Sequence, residues 1–293
     1  MQTGIFALVL GLLTTAALAE EMPADCTRLA EGLRGTWGWT VTAPPAGSDG
    51  DWCVFDGATF RGASDLPDLK ADRLRLRGAV TGDDLVALEV DIAGLRLRPS
   101  LSAASKDDPL RQVFRLQSAD LRLTARVDPA LGVLQLRDLK LVLSGGSELA
   151  GSADIAGADL QALASGRLTG LVVDWRLDGR LLLPVMEAIG GRLDPAASGN
   201  LAVDATRSAL RRVTDALPDA MLSGDSRSAL DRAVTALPVG RGRLRLALTV
   251  AEGIGAARLI VAGVADNPQA PEPLATLFEG ATLAVTWEPG VAP

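Results

Sequence analysis

Hydrophobic and polar residues alternate through most of the first two thirds of this sequence. In residues 121–128, leucine, alanine and valine take the odd positions, and arginine, threonine and aspartate take the even ones. Residues 88–92 alternate in the same way. A period of two places successive side chains on opposite faces of a β-strand. The pattern therefore predicts half-buried antiparallel strands from about Leu69 to Leu183, with one apolar and one wet face.

The tripeptide Leu-Arg-Leu occurs at 74–76, 95–97, 121–123 and 244–246, and Leu-Lys-Leu occurs at 139–141. In a strand, each copy places two leucines on the buried side and a cation on the wet side. We therefore expect Leu121 and Leu123 to be inaccessible and Arg122 to reach water or an acidic neighbour. The outward cation also discourages edge-to-edge pairing of sheets.

The alternation changes parity at two places. In residues 133–145 the leucines are even at Leu134 and Leu136 but odd from Leu139 onwards, and a second change lies at Ala93-Gly94. A shift of one residue sends every following side chain to the opposite face. Each site is therefore predicted to hold a bulge, kink or tight turn, as in a curved sheet.

The period becomes helical after residues 166–184, which read as one long strand. Pro184 is predicted to lie in the first turn of a short helix over 185–189. Residues 208–218 and 228–238 then repeat one another as two amphipathic helices that each end before a proline, with Ser223 or Asp225 as the cap of the second. This hairpin is expected to pack on the sheet through a set of apolar residues: Leu210, Val213, Leu217, Leu230, Val234 and Leu237.

Strands are predicted again at 242–250, 256–264 and 282–287, with a short helix near 274–278. The fold class is therefore α+β and β-dominated: a curved antiparallel meander sheet with a helical hairpin insert packed on it. The sheet domain is expected to span 66–293, with the helical insert at about 184–240.

The first 19 residues contain no charged side chain and end in Ala17-Leu18-Ala19, the small-x-small pattern of signal peptidase sites. This apolar run is short for a bilayer span. We therefore expect residues 1–19 to be a cleaved signal peptide and the protein to be periplasmic. An uncleaved membrane anchor is the alternative.

Cys26 and Cys53 are the only cysteines. An even pair in an exported chain most simply forms a disulfide, and two free thiols or a metal-binding pair are the alternatives. Trp37, Trp39 and Trp52 lie in the same region and are expected to form a small satellite core. Residues 20–65 are therefore predicted to be an N-terminal cap that the disulfide closes.

The absence of certain residue types excludes several classes of catalytic and metal-binding site. The chain has no histidine and no tyrosine, which removes Ser-His-Asp catalysis and histidine-ligated zinc. The acidic pairs at 83–84 and 107–108 lie beside turn formers, so they are expected to be solvated loop carboxylates rather than an acid/base pair. The net charge of −7 gives no electrostatic basis for nucleic-acid binding. No catalytic, cofactor-binding or metal site is predicted, and no cofactor is expected.

The segments "ADRLRLRG", "IAGLRLRP" and "SADLRLTA" resemble the AsmA-type periplasmic proteins and their exported alphaproteobacterial relatives. The resemblance covers roughly residues 66–287 and rests on alternating strands, repeated Leu-Arg-Leu and a late helical pair. It implies a long curved sheet that forms an open trough with an apolar interior, associated with lipid movement and outer-membrane upkeep. This chain is shorter than the usual family member, and it carries no residue-level site from the family.

Two functions follow from these observations. The first is a non-enzymatic periplasmic protein of envelope maintenance, whose curved sheet shelters lipid acyl chains and whose partner is lipid or an envelope protein. The alternative is a structural or protein-interaction module whose apolar sheet face is its own filled core and which has no ligand. An enzyme ranks third. The sequence leaves the oligomeric state open.

Overall fold

The computed structural model describes residues 22–23, 25–37, 39–42, 47–62, 68–98, 109–160, 162–238, 241–255 and 276–290. Three of the sequence predictions lie outside these ranges: the signal peptide at 1–19, the acidic pair at 107–108, and the strand at 256–264. No helix in the described ranges is long and apolar enough to cross a membrane.

Fourteen strands of the described residues form one antiparallel sheet. In chain order they are β1 (Met22–Pro23), β2 (Trp39–Val41), β3 (Gly47–Asp49), β4 (Trp52–Asp56), β5 (Thr59–Gly62), β6 (Leu69–Lys70), β7 (Arg73–Thr81), β8 (Asp84–Leu97), β9 (Ala119–Asp128), β10 (Val133–Leu143), β11 (Glu148–Ala156), β12 (Arg167–Leu177), β13 (Gly242–Gly255) and β14 (Ala281–Pro289). The long strands β7 to β14 pair in sequence order, so the central sheet is an open meander. The β-dominated fold predicted from the alternation is confirmed.

Both predicted changes of parity are sites of irregular pairing. The β10–β11 register shifts between Leu136 and Leu139, and the β8–β9 register shifts between Ile92 and Leu95. Gly94 and Asp138 have φ angles of 64° and 51° at these sites. Such angles belong to the left-handed region that an extended strand does not visit. The bulges return the leucines on both sides of each slip to one face of the sheet.

Five helices accompany the sheet in the described ranges: α1 (Cys26–Trp37), α2 (Pro109–Arg115), α3 (Gly179–Leu193), α4 (Asn200–Asp215) and α5 (Gly224–Ala236). Helix α1 contacts β7, α2 contacts β8, and α5 contacts β14. Helix α3 lies against α2 and α4. The buried contacts that α1, α3 and α5 make with the strands are with apolar sheet residues. The fold is therefore a helical layer on one face of a sheet whose other face is wet.

The prediction of one strand over 166–184 and a short helix over 185–189 was wrong. Strand β12 ends at Leu177, and α3 begins at Gly179, so Pro184 lies inside the helix. The reason is a local cap: the Asp178 carboxylate accepts a hydrogen bond from the backbone N–H of Arg180 at 2.9 Å. Burial of Leu181 and Leu182 then favours the helix over a continued strand.

The helical pair is confirmed, and its packing is confirmed in part. Helix α5 begins after Ser223, whose side chain accepts a hydrogen bond from the backbone N–H of Ser226, as the capping prediction required. Leu217, Leu230 and Leu237 pack against the core beside β14. Helix α4 instead lies mainly against α3. Ala202 lies beside Gly190 of α3, and the Thr206 hydroxyl donates a 2.7 Å hydrogen bond to the Met186 carbonyl. The repeat leucine Leu210 of α4 is half-buried.

Cys26 and Cys53 form a disulfide-compatible pair, with their Cα atoms 5.5 Å apart. The pair connects α1 to β4, and β4 pairs with β7 of the main sheet. Trp52 does not join an apolar satellite core. It lies on the wet face, with the guanidinium carbons of Arg75 and Arg77 at 4.6 and 4.7 Å from its ring centroid. Alternation explains this, because its neighbour Cys53 points into the core.

Candidate functional site

One face of the sheet is apolar across nine strands. Cross-strand neighbours share a face, so rows of side chains can be followed from one strand to the next. One such row runs from β4 to β14 and crosses the β10 bulge: Cys53, Leu76, Val90, Leu123, Leu139, Gly151, Val173, Leu246 and Val285. Every member except Gly151 has an apolar side chain, so the apolar surface is continuous.

Two sets of buried side chains cover the ends of this face. At one end, Leu29 of α1 packs with the β4, β7, β8 and β9 residues in a cluster whose most buried members include Phe55 and Leu88. At the other end, Ala229 and Ala233 of α5 pack with β14 residues such as Val285. A smaller cluster around Met221 adjoins this second end.

The middle of the face is less covered. Leu141, Leu143, Leu149 and Val173 are half-buried and belong to neither end's cluster among the residues that the structure describes. Leu149 lies opposite Leu141 in the β10–β11 pair. We call these four residues, with Gly151 between them, the central strip. It spans β10 to β12, or about 10 Å at the usual strand spacing.

Leu121 marks the border of the strip. It was expected to be inaccessible, as Leu123 is at 1% exposure, but it stays half-buried. Both leucines face a buried β8 residue, Ile92 for Leu121 and Val90 for Leu123, so the pairing with β8 does not explain the difference. On its other side Leu121 faces Leu141 of the strip, and it lies at the edge of the larger buried cluster, whereas Leu123 lies within that cluster.

The central strip leads into a cavity, the end pocket. The cavity has a volume of about 350 Å³ and lies beneath α2, where β8, β9 and β10 meet it. Its apolar lining consists of Leu69, Leu95, Leu97, Leu110, Phe114, Ala119 and Leu143. Leu143 belongs to the strip as well, two residues from Leu141 on the same face. Arg96 and Arg192 are the charged residues of its lining.

The opposite face carries ion pairs between neighbouring strands. Arg122, whose side chain is 68% exposed, lies 3.2 Å from Asp91, as the Leu-Arg-Leu interpretation predicted. Arg137 pairs with Asp154 at 2.6 Å, and Lys140 pairs with Glu148 at 3.2 Å. Four of these residues, Asp91, Arg122, Arg137 and Lys140, line a groove of about 860 Å³. Because the cations already face carboxylates, the groove is a solvated, charge-balanced surface rather than a prepared anion site.

The pKa shifts on this face fit the same interpretation. Arg243 donates hydrogen bonds of 2.5 to 2.9 Å to the Asp174 carboxylate and thereby holds the pKa of Asp174 below its usual range. Asp178 likewise has a lowered pKa, chiefly because the Arg180 side chain donates to it. Such carboxylates are anionic near neutral pH and are not proton donors. They are structural partners of arginine.

The candidate carboxylates of the sequence do not form a site in the described residues. Asp83 is in the exposed β7–β8 turn, where it faces Arg28. No group of three or more Cys, Asp or Glu residues in the described ranges is arranged to hold a metal ion. Within the described residues, the central strip with the end pocket has the shape of a binding site for an apolar ligand.

The end pocket was not predicted from the sequence. Its lining combines leucines from distant strands with Leu110 and Phe114 of α2, and no sequence rule places α2 over the sheet. A signal was nevertheless present: Leu95, Leu97 and Leu143 are the apolar positions that follow the bulges. No protein-family model matches this chain, and no curated protein matches it.

Proposed function

We propose that this protein is a non-enzymatic, periplasmic protein of envelope maintenance that shelters a lipid acyl chain on the apolar face of its sheet. One observation carries the proposal. The central strip is only half-buried, although the same face is buried on both sides of it, and the strip continues into an apolar cavity. A face that served only as a core would be filled along its whole length.

The dimensions and the chemistry of the site suit an acyl chain. A strip about 10 Å wide is broader than one methylene chain, and the end pocket of about 350 Å³ is in the size range of small-molecule sites. The strip offers only aliphatic contacts, so it favours a ligand without polar groups along its length. Each methylene removed from water would contribute about 0.8 kcal/mol to binding.

The resemblance to AsmA-type proteins supports the same function. Those proteins combine an exported chain, repeated amphipathic strands and a curved sheet with an apolar interior. Here the apolar face runs across nine strands, as the repeated Leu-Arg-Leu pattern led us to expect. The expected signal peptide at 1–19 would deliver the chain to the compartment where envelope lipids are handled.

The test is native purification from the periplasm, solvent extraction and mass spectrometry of the extract. We expect phospholipid or fatty acid at a ratio near one per protein. The variant Val173→Asp, which places a carboxylate in the strip between Gly151 and Leu246, should lose most of the lipid. Absence of lipid from the wild type would refute the proposal.

Val172→Asp is the matched control. Val172 is the neighbouring residue of the same strand, and it faces Ser152 and Ala247 on the wet side of the sheet. Both variants remove a valine from β12 and add one negative charge, so they differ only in the face of the sheet that carries the charge. Lipid should remain bound to Val172→Asp. Equal loss from both variants would show that the effect comes from the strand and not from the strip.

The second candidate is a structural or protein-interaction module without a ligand. The extent of burial at one end of the sheet favours it, because Leu74, Leu88 and Leu134 have no exposed surface and form an ordinary core. This candidate predicts that the wild type carries no lipid and that Val173→Asp changes stability alone.

A further inference from the structure

The last strand of the sheet has an outer edge, on the side away from β13. Strand β14 pairs with β13 along its whole length, from Ala281 to Pro289. In an antiparallel strand, alternate residues direct their backbone groups to opposite sides. The odd-numbered residues of β14 direct theirs outward, because the Val285 N–H donates to the Ser226 hydroxyl of α5 at 3.1 Å. This outward row is where a further strand would pair.

Helix α5 and the turn before it cover the middle of this edge. Leu222 of the turn forms a parallel bridge with Leu283 of β14. Ser226 is 6% exposed, and its hydroxyl accepts a second hydrogen bond, of 3.0 Å, from the hydroxyl of the cap residue Ser223. One buried oxygen therefore joins the first turn of α5 to the edge strand. We call Leu222 and Ser226 the edge seal.

The two ends of the edge are closed in other ways. At one end, the Ala281 N–H donates to the Phe278 carbonyl at 3.0 Å. At the other end, Pro289 has no N–H with which to pair a strand. Proteins commonly protect the edges of their sheets by such means. The middle of the β14 edge, at Leu283 and Val285, therefore depends on the edge seal.

The hairpin that carries the seal is held together by contacts of its own. Arg207 and Arg227 occupy equivalent positions of the internal repeat. Arg207 donates to the Leu237 carbonyl at 2.9 Å, and Arg227 donates to the Leu217 carbonyl at 3.4 Å. Each arginine thus binds the last carbonyl before the proline of the other copy. Opening the edge seal therefore leaves these links between α4 and α5 intact.

A second copy of the chain fits the edge that the seal covers. Two β14 strands that pair antiparallel about a two-fold axis at Val285 place Leu283 of one copy opposite Trp287 of the other. These three side chains lie on the apolar face, so the pairing continues that face from one sheet into the next. On the wet face Glu288 comes opposite Thr282, so no like charges meet.

We propose that the edge seal is an autoinhibitory contact, which occupies the place where β14 of a second copy would pair and so keeps the chain monomeric. The proposal commits to one partner, a second copy of this chain, and to one surface, the outer edge of β14. It is independent of the proposed function, because the contacts at this edge are the same whether or not the sheet shelters lipid.

Light scattering of the full chain during size-exclusion chromatography tests the proposal. We expect the wild type to be a monomer. Ser226→Glu puts a carboxylate into a buried contact and should lift the first turn of α5 from the edge, giving a share of dimers that rises with protein concentration. Ser228→Glu is the matched control and should stay monomeric, because Ser228 is exposed two residues further along the same helix.

Ser226→Ala is the milder variant, and it decides the test if Ser226→Glu does not fold. It removes the acceptor of the Val285 N–H without adding a charge, so it should give dimers at higher protein concentration than Ser226→Glu requires. Ser228→Ala, which removes an exposed hydroxyl, should remain a monomer.

An added cysteine identifies the surface that pairs. In the two-fold arrangement residue 285 faces itself, so Val285→Cys combined with Ser226→Ala should form a disulfide-linked dimer on mild oxidation. Ala284→Cys with Ser226→Ala is the control, because residue 284 lies opposite residue 286 and not opposite itself. Val285→Cys alone should stay monomeric, since the seal still covers position 285.

The proposal is overturned by a dimeric wild type, by monomers for every folded Ser226 variant, by equal dimer formation in the Ser226 and Ser228 variants, or by equal cross-linking at positions 284 and 285. Dimers confined to the Ser226 variants, with cross-linking at position 285, support it. Lipid in the purified protein bears on the acyl-chain proposal alone.

Discussion

The comparison of Leu123→Ala with Leu141→Ala separates a filled core from an open strip. Both leucines lie on the apolar face, in neighbouring strands. Leu123 is 1% exposed and packs within the larger core cluster. Its truncation should therefore lower the free energy of unfolding by about 2–5 kcal/mol. Leu141 is half-buried and belongs to the central strip. Its truncation should cost only about 1 kcal/mol, since burying a whole leucine contributes about 1.5–3 kcal/mol.

The assay needs two readouts for each variant. Urea unfolding of delipidated protein gives the intrinsic stability, because a bound ligand would add its own contribution to the native state. Mass spectrometry of natively purified protein gives the lipid ratio. We expect Leu141→Ala to carry less lipid than the wild type despite its small loss of stability. Leu123→Ala should show the opposite order, with a large loss of stability and lipid retained in the fraction that folds.

One result would show that Leu141 is not part of an open strip. If the delipidated Leu141→Ala protein lost as much stability as Leu123→Ala, and the lipid content did not change, Leu141 would be a core residue. The central strip would then be filled in solution, and the module without a ligand would be the better account of the fold.

Three further predictions concern the framework. Asp138→Gly should be neutral or slightly stabilising in urea unfolding, because glycine readily adopts the φ of 51° found at this position. Asp138→Val should lower the free energy of unfolding by more than about 1 kcal/mol, because a β-branched residue is strained at this angle. Equal effects of the two variants would disprove the bulge. Gly190→Ala should lower Tm clearly, because the added Cβ would lie 1.8 Å from the Ala202 carbonyl oxygen. Gly191→Ala is the control: its Cβ would lie 3.8 Å from the nearest atom, so Tm should stay equal or rise. Because Arg243 lowers the pKa of Asp174, this carboxylate adds stability above its ordinary pKa of 3.8, and the addition disappears as the pH falls through the lower native value. The advantage of the wild type over Asp174→Asn in urea midpoints should therefore be constant near neutral pH and vanish in acid, and an advantage that grew in acid would contradict the ion pair.

The sheet was predictable because its information is local. Alternation in 121–128 and the change of parity after Leu136 both depend on neighbouring residues, and the irregular pairing between Leu136 and Leu139 followed from them. The start of α3 was not predictable from periodicity. Residues 178–183 carry leucines in a run that fits either period, and the cap at Asp178 decides the outcome.

Only the apolar character of the candidate site could be predicted from the sequence, and not its position. Alternation identifies which side chains share the apolar face, so an apolar surface was expected. Which part of that surface is covered depends on where the helices lie, and this is a matter of tertiary packing between distant segments. Leu141 and Leu123 belong to near-identical tripeptides, yet Leu123 lies within the larger buried cluster and Leu141 belongs to none of the buried clusters of the described residues.

The connectivity of the sheet sets an order of assembly. From β7 to β12, each strand pairs with its successor in the chain. Contacts between sequence neighbours form quickly, since little chain entropy is lost in closing their loops. A chain that emerges from its N-terminus can therefore add hairpins one at a time. The β12–β13 pairing is different, because α3, α4 and α5 separate its strands. We expect the helical segment to compact first and to bring β13 and β14 onto the growing edge last, as the slow step of folding.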